Sequence, residues 1–531
     1  MTTGDLKLSP CARYFWRSHS LMNCSGSQLF EALFLSGTSQ IGMAGIATLL
    51  ESPAIAPQPF GSETGHSDYK PSLARHSICA GPPRRVEQHY QLWAPVLGEV
   101  LPFLERLGQI APPKAELMPG ESEVIPEDLP FLGGWLGWLG YDLAWEIERL
   151  PWLKDDHLPF PVAFWYEPAE FAVLDHVTQR VWLAADTPKG LDGLSQKILQ
   201  RTVLGVNATD SDSSPDDDNF SSIYIGEKKD LGEKNLQRSP TWKTDELLFE
   251  TPQAEFQQAV KKAKAHIRAG DVFQVNHSLR FRARTTMPSW EVYKTLHQIN
   301  PSPFASYWHT PWGSVVSCSP ERLVHLKEGV AQSRPIAGTR PRGNTPAADQ
   351  QNAQTLLNDT KERAEHIMLV DLERNDLGRV CEWGSVRVDE LMVIERYSHV
   401  MHLVSNVIGL LPADVSAAQL VAALFPGGTI TGCPKVRCME IIETLEPVRR
   451  SLFYGSCGYL DRRGRLDLNI LIRTLLITEE RAANAEAPDT ATVWGQVGAG
   501  IVADSDPERE WQESLQKAKA QLLALGLMNK S

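Results

Sequence analysis

The chain has 531 residues, of which 42% are hydrophobic, and a formal net charge of −13. This length and apolar content allow one large domain or two domains with an extensive core, and the acidic balance argues against nucleic acid or acidic membranes as partners. No uninterrupted apolar run approaches the ~20 residues that a membrane span needs. The eight cysteines show no CxxC or Cys/His spacing, which is typical of scattered reduced thiols.

Four regions follow one another along the chain. Residues 1–30 form an N-terminal extension with few acidic side chains, a composition compatible with an organelle transit peptide. The aromatic run at 14–17 instead favours packing in the folded protein, and we expect a cytoplasmic protein. Residues 31–204 alternate short β-like runs with turns. Residues 205–250 carry few large apolar side chains and are predicted to be a linker or surface insertion. Residues 251–528 hold the chemically informative motifs and are predicted to be the catalytic domain.

The start of the last region has a clear local pattern. Apolar residues recur at helical spacing from Phe256 to Ile267 before Gly270 ends the helix and a strand begins. Hairpin signals such as DRRGR at 461–465 favour antiparallel strand pairing. These patterns alone predict only a mixed α/β fold.

Two predicted helices each carry carboxylates at spacings of three residues. Glu362 and Glu365 share a face of the first helix, and Glu510 and Glu513 share a face of the second. A solvated charged face explains one such pair, but two pairs that face each other would repel unless a cation lay between them. Oxygen-only ligands favour Mg²⁺, which could hold a substrate carboxylate and help a leaving group depart.

The ordered motifs resemble those of the chorismate-utilising enzymes, and specifically the large subunits of anthranilate and aminodeoxychorismate synthases. The resemblance implies an α+β fold in which two stacked, mainly antiparallel β-sheets form a sandwich with helices outside. The segments that carry it are LLES (49–52), GGWLGWLGYDLAWEIERLP (133–151), DVFQVNHSLRF (271–281), NPSPFASY (300–307), SPERL (319–323), RPIAGTRPRG (334–343), KERAEHIMLVDLERNDLGR (361–379), FPGGTITGCPKVRCMEIIETLEP (425–447), GYLDRRGRLDLNILIRT (458–474) and GAGIVADSDPEREWQES (498–514).

The resemblance implies metal and catalytic roles for particular residues. Glu365 and Glu513 match the family's Mg²⁺ ligands. Glu362 and Glu510 match further carboxylates that hold metal-bound water or a ligand's position, and Glu362 is also expected to act in catalysis. His399, in YSHVMH, matches a histidine placed beside the reacting ring.

The resemblance also implies residues that bind the substrate. Gly338 and Thr339 match a loop that contacts the substrate, and Thr339 is also expected to act in catalysis. The groups around the substrate carboxylates are matched by Arg473, Gly498, Gly500 and Lys517. The chemistry agrees, because arginine can clamp a carboxylate, lysine adds a point charge and glycine lets backbone N–H groups approach an anion. Taken singly, each has an ordinary structural explanation, such as a core histidine, a salt bridge or a turn.

Gln274 separates the reaction classes within the family and is expected to act in catalysis. Isochorismate and salicylate synthases carry a lysine at the matching position, as base for an attacking water, and a neutral glutamine cannot take that proton. We therefore expect ammonia to be the nucleophile. No glutamine-hydrolysing domain is visible in the sequence, so a separate glutamine amidotransferase subunit is implied as the ammonia source.

The two aminating branches differ at other positions. Ala337 is the anthranilate-type residue, since many aminodeoxychorismate synthases have a nucleophilic lysine there. Asn276, the run at 426–432 and Phe453 look more like the aminodeoxychorismate branch. We expect amination of chorismate to 4-amino-4-deoxychorismate, for p-aminobenzoate and folate. The alternative is an anthranilate synthase of tryptophan biosynthesis, which also releases pyruvate, and a non-catalytic tryptophan-binding homologue is a remote third possibility.

Two further segments resemble those that form a tryptophan pocket in anthranilate synthases. The implied pocket residues are Leu50, Glu51, Ser52, Pro301 and Ser302. Plain packing in a core and a rigid proline loop is the alternative, so tryptophan stays open as a partner beside chorismate.

Overall fold

The fold is described from a computed structural model, whose described residues are 13–35, 43–52, 75–110, 114–118, 124–206, 223–224, 242–397, 400–480 and 490–528. Three predictions fall partly or wholly outside these ranges: residues 1–12 of the extension, His399, and most of the predicted linker at 205–250. Within them, no helix is long and apolar enough to cross a membrane.

The described strands, in chain order, are β1 (Arg13–Met22), β2 (Ala47–Glu51), β3 (His76–Ala80), β4 (Arg85–Val86), β5 (His89–Tyr90), β6 (Leu92–Trp93), β7 (Lys114–Leu117), β8 (Gly134–Leu139), β9 (Ala163–Tyr166), β10 (Glu170–Asp175), β11 (Arg180–Ala185), β12 (Ile223–Tyr224), β13 (Thr244–Phe249), β14 (Gln274–Thr285), β15 (Phe304–Thr310), β16 (Gly313–Ser319), β17 (Arg322–Lys327), β18 (Val330–Ser333), β19 (Ile336–Pro341), β20 (Arg387–Arg396), β21 (Val400–Leu410), β22 (Gly432–Cys433), β23 (Ser456–Asp461), β24 (Leu466–Asn469), β25 (Thr474–Glu480) and β26 (Thr490–Ile501).

The described α-helices are α1 (Gly26–Phe30), α2 (Val100–Gly108), α3 (Ala144–Ile147), α4 (Pro188–Val206), α5 (Gln253–Ala269), α6 (Ser289–Ile299), α7 (Pro346–Asn358), α8 (Thr360–Gly378), α9 (Ala417–Leu424), α10 (Lys435–Leu445) and α11 (Pro507–Ala524). Short 3₁₀ or π turns cover Glu31–Leu35, Met43–Gly45, Tyr141–Leu143 and Gly428–Ile430.

The strands form two large sheets. The larger sheet has the order β12-β1-β11-β10-β3-β2-β15-β16-β25-β26-β14-β13, with β7 against β1 and β22 against β14. The smaller has the order β19-β21-β18-β17-β24-β23-β8-β9-β6, with β20 against β21. Among the described pairings, only β7 and β12 run parallel to their neighbour, β1. The predicted α+β fold with mainly antiparallel sheets is therefore confirmed. Both sheets contain strands from residues 31–204 and from residues 251–528. The domain boundaries proposed from the sequence therefore remain a prediction.

Side chains that alternate along the strands pack into two separate hydrophobic cores. On β11, Trp182 and Ala184 join the cluster between the two sheets, whereas Val181 and Leu183 join a second cluster under the helices. Trp138 of the smaller sheet meets Trp308 of the larger one with ring centroids 5.8 Å apart. The second cluster packs the larger sheet against α5, α6 and α11, so these helices lie outside the sandwich.

Side-chain caps fix where the two carboxylate-bearing helices begin. Asp359 accepts hydrogen bonds from the backbone N–H groups of Lys361 and Glu362 and so starts α8. Asp506 accepts equivalent bonds from Glu508 and Arg509 ahead of α11, where Pro507 is the first helical residue. Because α8 packs on β21 and α11 on β26, these caps determine where the carboxylates fall along the sheet edges.

A buried ion cluster connects the ends of several strands. The Glu167 carboxylate, between β9 and β10, accepts hydrogen bonds from Arg84 and from Arg462, and the three residues are almost fully buried. We expect Glu167→Ala to lower the free energy of unfolding by about 3–5 kcal/mol, because two guanidinium groups would stay buried without their counterion. Chemical denaturation measures the loss.

Glu328→Ala is the matched control. Glu328 pairs with Arg465 at 3.0 Å, but its side chain is 70% exposed, and we expect a cost below about 1 kcal/mol. Equal losses in the two variants would contradict the structural role assigned to Glu167.

Candidate functional site

Two neighbouring strands form the floor of a cleft. Gln274 and Asn276 lie two residues apart on β14, and Asn276 pairs with Gly500 of β26, two residues from Gly498. A Cβ atom on Gly500 would lie 2.2 Å from Gln274 Nε2, and one on Gly498 would lie 3.0 Å from Asn276 Oδ1. The two glycines therefore leave room for the two amide side chains on the same face of the sheet.

The amides of this floor have unused hydrogen-bonding capacity. Gln274 Oε1 and Asn276 Oδ1 are buried and have no hydrogen-bond partner among the described residues. A buried acceptor left unpaired is costly, and such groups in folded proteins usually meet a ligand or water. The floor is thus suited to a ligand that donates hydrogen bonds.

Two cationic side chains flank the end of β26. Lys517 Nζ donates to Gly498 O at 3.0 Å and pairs with Glu513 at 2.8 Å. Arg473 Nη1 donates to Lys517 O at 3.0 Å, and the Arg473 backbone has φ = 52°, in the left-handed region. A non-glycine residue held there is strained, and such strain is concentrated at functional sites. This end of the floor suits an anionic ligand.

The four predicted metal carboxylates lie near one another, on α8 and α11. Burial raises the pKa of Glu362, Glu365 and Glu510, and the negative charge of Glu513 raises each further. Burial opposes ionisation of Glu513 as well, but Lys517 outweighs it and holds the Glu513 pKa below its usual value. The two helices therefore bring like charges together.

Lys361 lies beside the carboxylates of α8. Its Nζ lies 3.7 Å from Glu365 Oε1. Burial disfavours its charge, but carboxylates on both helices outweigh this and raise the Lys361 pKa. Within the described ranges, no group of three or more His, Cys, Asp or Glu side chains is close enough to hold a metal ion. The donors are of the oxygen type that Mg²⁺ prefers, but their positions are those of carboxylates balanced by lysine.

The loop predicted to meet the substrate forms the opposite wall. Gly338 has φ = 59°, and a Cβ atom there would lie 2.6 Å from Leu356 Cδ1 and 3.0 Å from Glu362 Oε2. Only glycine fits this position without displacing its neighbours. Thr339 follows on β19, where its Oγ1 lies 3.0 Å from His402 Nδ1.

His402 is a site residue that the sequence reasoning missed. His399 lies outside the described residues, whereas His402 pairs with Thr339 across β19 and β21. Burial lowers the pKa of His402 to about 4, so its imidazole is neutral at pH 7. YSHVMH contains both histidines, and only the strand register shows that the second one meets the loop predicted to bind substrate.

Glu321 is a second residue that the sequence reasoning missed. It belongs to SPERL, directly before β17, and is 6% exposed beside Thr429. Burial, reinforced by the charge of Glu373, raises the pKa of Glu321 to about 8. The carboxyl is therefore largely protonated at pH 7 and able to donate a proton, with Arg473 among the charges that act on it.

A separate cavity lies at the predicted effector segments. Leu50, Glu51 and Ser52 line it, and the other lining residues include Pro303, Phe304, Tyr459, Asn469 and the ion pair Arg322–Asp467. Pro301 and Ser302 lie in the loop before β15, outside this lining. The Glu51 carboxylate accepts from Tyr293 Oη and Ser27 N, both at 2.7 Å, so its charge already has internal partners.

Comparison with known proteins identifies the family. Residues 67–523 match the family described as chorismate binding enzyme. The chain belongs to this family. An "anthranilate synthase component I-like protein" of Synechocystis sp. is 52% identical over 98% of this chain and 93% of its own length. The "aminodeoxychorismate synthase component 1" of Bacillus subtilis is 43% identical over 77% of this chain and 80% of its own.

A solved structure shows the same fold. The anthranilate synthase component I of Streptococcus pneumoniae superposes with a TM-score of 0.62, at 28% identity, over 89% of this chain and 98% of its own. The chorismate binding enzyme described here is thus a chorismate-utilising synthase, and its cleft is built from the segments on which the sequence prediction rested.

The raised pKa of Glu321 predicts a pH-dependent stability change. The unfolded carboxyl ionises near its ordinary pKa of 4.5 and the folded one at about 8. Between those values the folded chain keeps a proton that the unfolded chain releases, so the contribution of Glu321 to stability falls as pH rises. We expect Glu321→Gln to raise Tm relative to the unaltered chain by about 2 °C or more at pH 8, and less at pH 5. A difference in Tm that is the same at both pH values would contradict this.

Proposed function

We propose that the protein, with Mg²⁺, aminates chorismate to 4-amino-4-deoxychorismate, using ammonia from a separate glutamine amidotransferase subunit in the cytoplasm. The observation that carries this is Gln274, whose Oε1 is buried and unpaired among the described residues. An amide oxygen can accept an N–H of ammonia, but a neutral amide cannot remove a proton from water. The floor therefore supports amination rather than hydration.

The remaining side chains suit a dianionic ring substrate. Lys517 and Arg473 offer positive charge at the glycine end of the floor, where a carboxylate can approach the backbone of Gly498 and Gly500. Thr339 and the neutral His402 offer hydrogen-bonding groups on the opposite wall. Chorismate would lie between them, with its ring over Gln274.

Glu321 supplies the proton that the leaving group needs. Ammonia forms a C–N bond to the ring, the C–O bond to the ring hydroxyl breaks, and the hydroxyl departs as water with the Glu321 proton. The added nitrogen then gives up a proton, which restores Glu321 to its acid form. The net reaction is chorismate plus ammonia to aminodeoxychorismate plus water, so protons balance without an external base.

Four glutamates would hold the metal. Glu365 and Glu513 are proposed as ligands, with Glu362 and Glu510 supporting them, because the charge of Glu513 acts on each of the other three. When bound, Mg²⁺ would hold a substrate carboxylate and withdraw charge from the ring. Lys361 would leave Glu365 as the cation entered.

The choice of product rests on fewer contacts. Ala337, on β19 beside Gly338, has no amine, which supports direct attack by ammonia over a covalent lysine adduct. Asn276, with its unpaired Oδ1, supports the aminodeoxychorismate branch, and the Bacillus subtilis relative carries that name. The alternative product is anthranilate, which the description of the Synechocystis relative favours.

Product analysis tests the proposal. The purified chain is incubated with chorismate, Mg²⁺ and ammonium near the Glu321 pKa of about 8, where free ammonia is present and part of Glu321 still carries its proton, and the products are identified by chromatography and mass. Aminodeoxychorismate is expected. Anthranilate with pyruvate would establish the alternative, and no turnover would favour a non-catalytic homologue.

The metal proposal predicts a specific shift in Mg²⁺ dependence. We expect Glu365→Gln and Glu513→Gln each to raise the Mg²⁺ concentration for half-maximal turnover by about tenfold or more, because each removes a charged oxygen ligand. Asp371→Asn on α8 is the control, since Asp371 is 76% exposed and pairs only locally with Arg374. A change of equal size in the control would contradict the assignment.

The separate cavity is proposed to bind tryptophan. Its lining by Tyr459, Leu50 and Asn469 offers an aromatic contact, an apolar wall and an amide. Calorimetric titration with L-tryptophan should show saturable binding, with D-tryptophan as the control for stereospecific contacts. No heat change with either compound would favour the plain-packing alternative.

A further inference from the structure

A second buried carboxyl lies behind Glu321 and plays no part in the reaction as described so far. Glu373, on α8, is 4% exposed and accepts a hydrogen bond from the Ser333 hydroxyl at 2.7 Å. It lies eight residues beyond Glu365, about 12 Å farther along the helix. It is therefore well separated from the metal carboxylates.

The same two chain segments lie beside both carboxyls. On the first segment, Ser333 donates to Glu373 at 2.7 Å, and Ile336, three residues later, lies beside Glu321. On the second, a Cβ atom on Gly428 would lie 3.6 Å from Glu373 Oε1, and the next residue, Thr429, lies beside Glu321. The two carboxyls therefore lie against the same pair of segments.

The surrounding charges do not balance the two carboxyls equally. Asp376 lies one turn beyond Glu373, and Lys435 Nζ donates to it at 2.6 Å and to Leu424 O at 2.9 Å. The buried Lys435 ammonium is therefore the positive charge shared by two buried carboxyls, Glu373 and Asp376. Arg473 acts on Glu321 from the other side, but more weakly than Glu373 does. Two uncompensated negative charges this deep would be costly, so one of the two glutamates keeps its proton.

We propose that Glu373 is a positioning residue for the amination: its carboxylate, held by Ser333 and attracted by Lys435, keeps on Glu321 the proton that leaves with the ring hydroxyl. This rests on the role of Glu321 in the proposed function. The pKa directions agree: burial raises both pKa values, the charge of Lys435 opposes the rise at Glu373, and the charge of Glu373 adds to the rise at Glu321.

Glu373→Gln tests the proposal, because glutamine keeps the size and can still accept from Ser333. The rate constant kcat is measured across pH with free ammonia held constant and saturating. Activity is lost at alkaline pH as Glu321 loses its proton. We expect Glu373→Gln to move this loss by about one pH unit toward acid, because the neighbouring negative charge has gone. Glu373→Asp restores the charge and should return the profile toward that of the unaltered chain.

Glu443→Gln is the matched control for a purely structural effect. Glu443 is also 4% exposed and pairs with Lys154 and Arg449 away from the cleft. This variant should alter Tm and leave the alkaline loss of activity at its original pH. If Glu373→Gln does not fold, Glu373→Met supplies the same neutral charge in a side chain that tolerates burial.

The outcomes separate this inference from the function on which it rests. A neutral Glu373 variant that turns over chorismate with an unmoved or alkaline-shifted profile overturns the role of Glu373 and leaves the amination intact. A drop in kcat at every pH with no shift overturns it equally, because that is a structural effect. No turnover by the unaltered chain overturns the proposed function itself.

Discussion

Repulsion between buried carboxylates is the constraint on which the site depends. α8 and α11 bring four glutamates together, and burial and the charge of Glu513 raise the pKa of Glu362, Glu365 and Glu510. A fold gains nothing by gathering like charges in a half-buried cleft unless a cation compensates them. In the structure Lys361 supplies part of that compensation. The caps Asp359 and Asp506 fix where the two helices begin. The glutamates of the two helices therefore repel one another even without a bound ligand.

The sequence predicted the site better on its helices than on its sheets. Carboxylate spacing and N-cap signals are local, so α8 and α11 and their acidic faces could be predicted directly. Pairing of β14 with β26 joins residues more than 200 positions apart, and the proximity of Gln274 to Gly500 depends on it. No local pattern contains that information, and the family resemblance supplied it instead.

The two missed residues show the same limit. His402 reaches Thr339 through one register of β19 against β21, which includes an irregularity between Ala337 and Thr339. A shift of one residue would turn the other face of the strand to the cleft. Glu321 looks like an ordinary charged residue before a strand. Its chemistry comes from burial beside Glu373, which only tertiary structure reveals.

Glu321 and Arg322 are neighbours in the chain with different surroundings. The Glu321 carboxyl lies beside Thr429 and Glu373, whereas Arg322 begins β17 and lines the separate cavity, where it pairs with Asp467. The role proposed for Glu321 and the lining of the separate cavity therefore depend on the same short segment. Because the two residues share a peptide bond, a ligand that displaced the backbone of Arg322 would also displace that of Glu321.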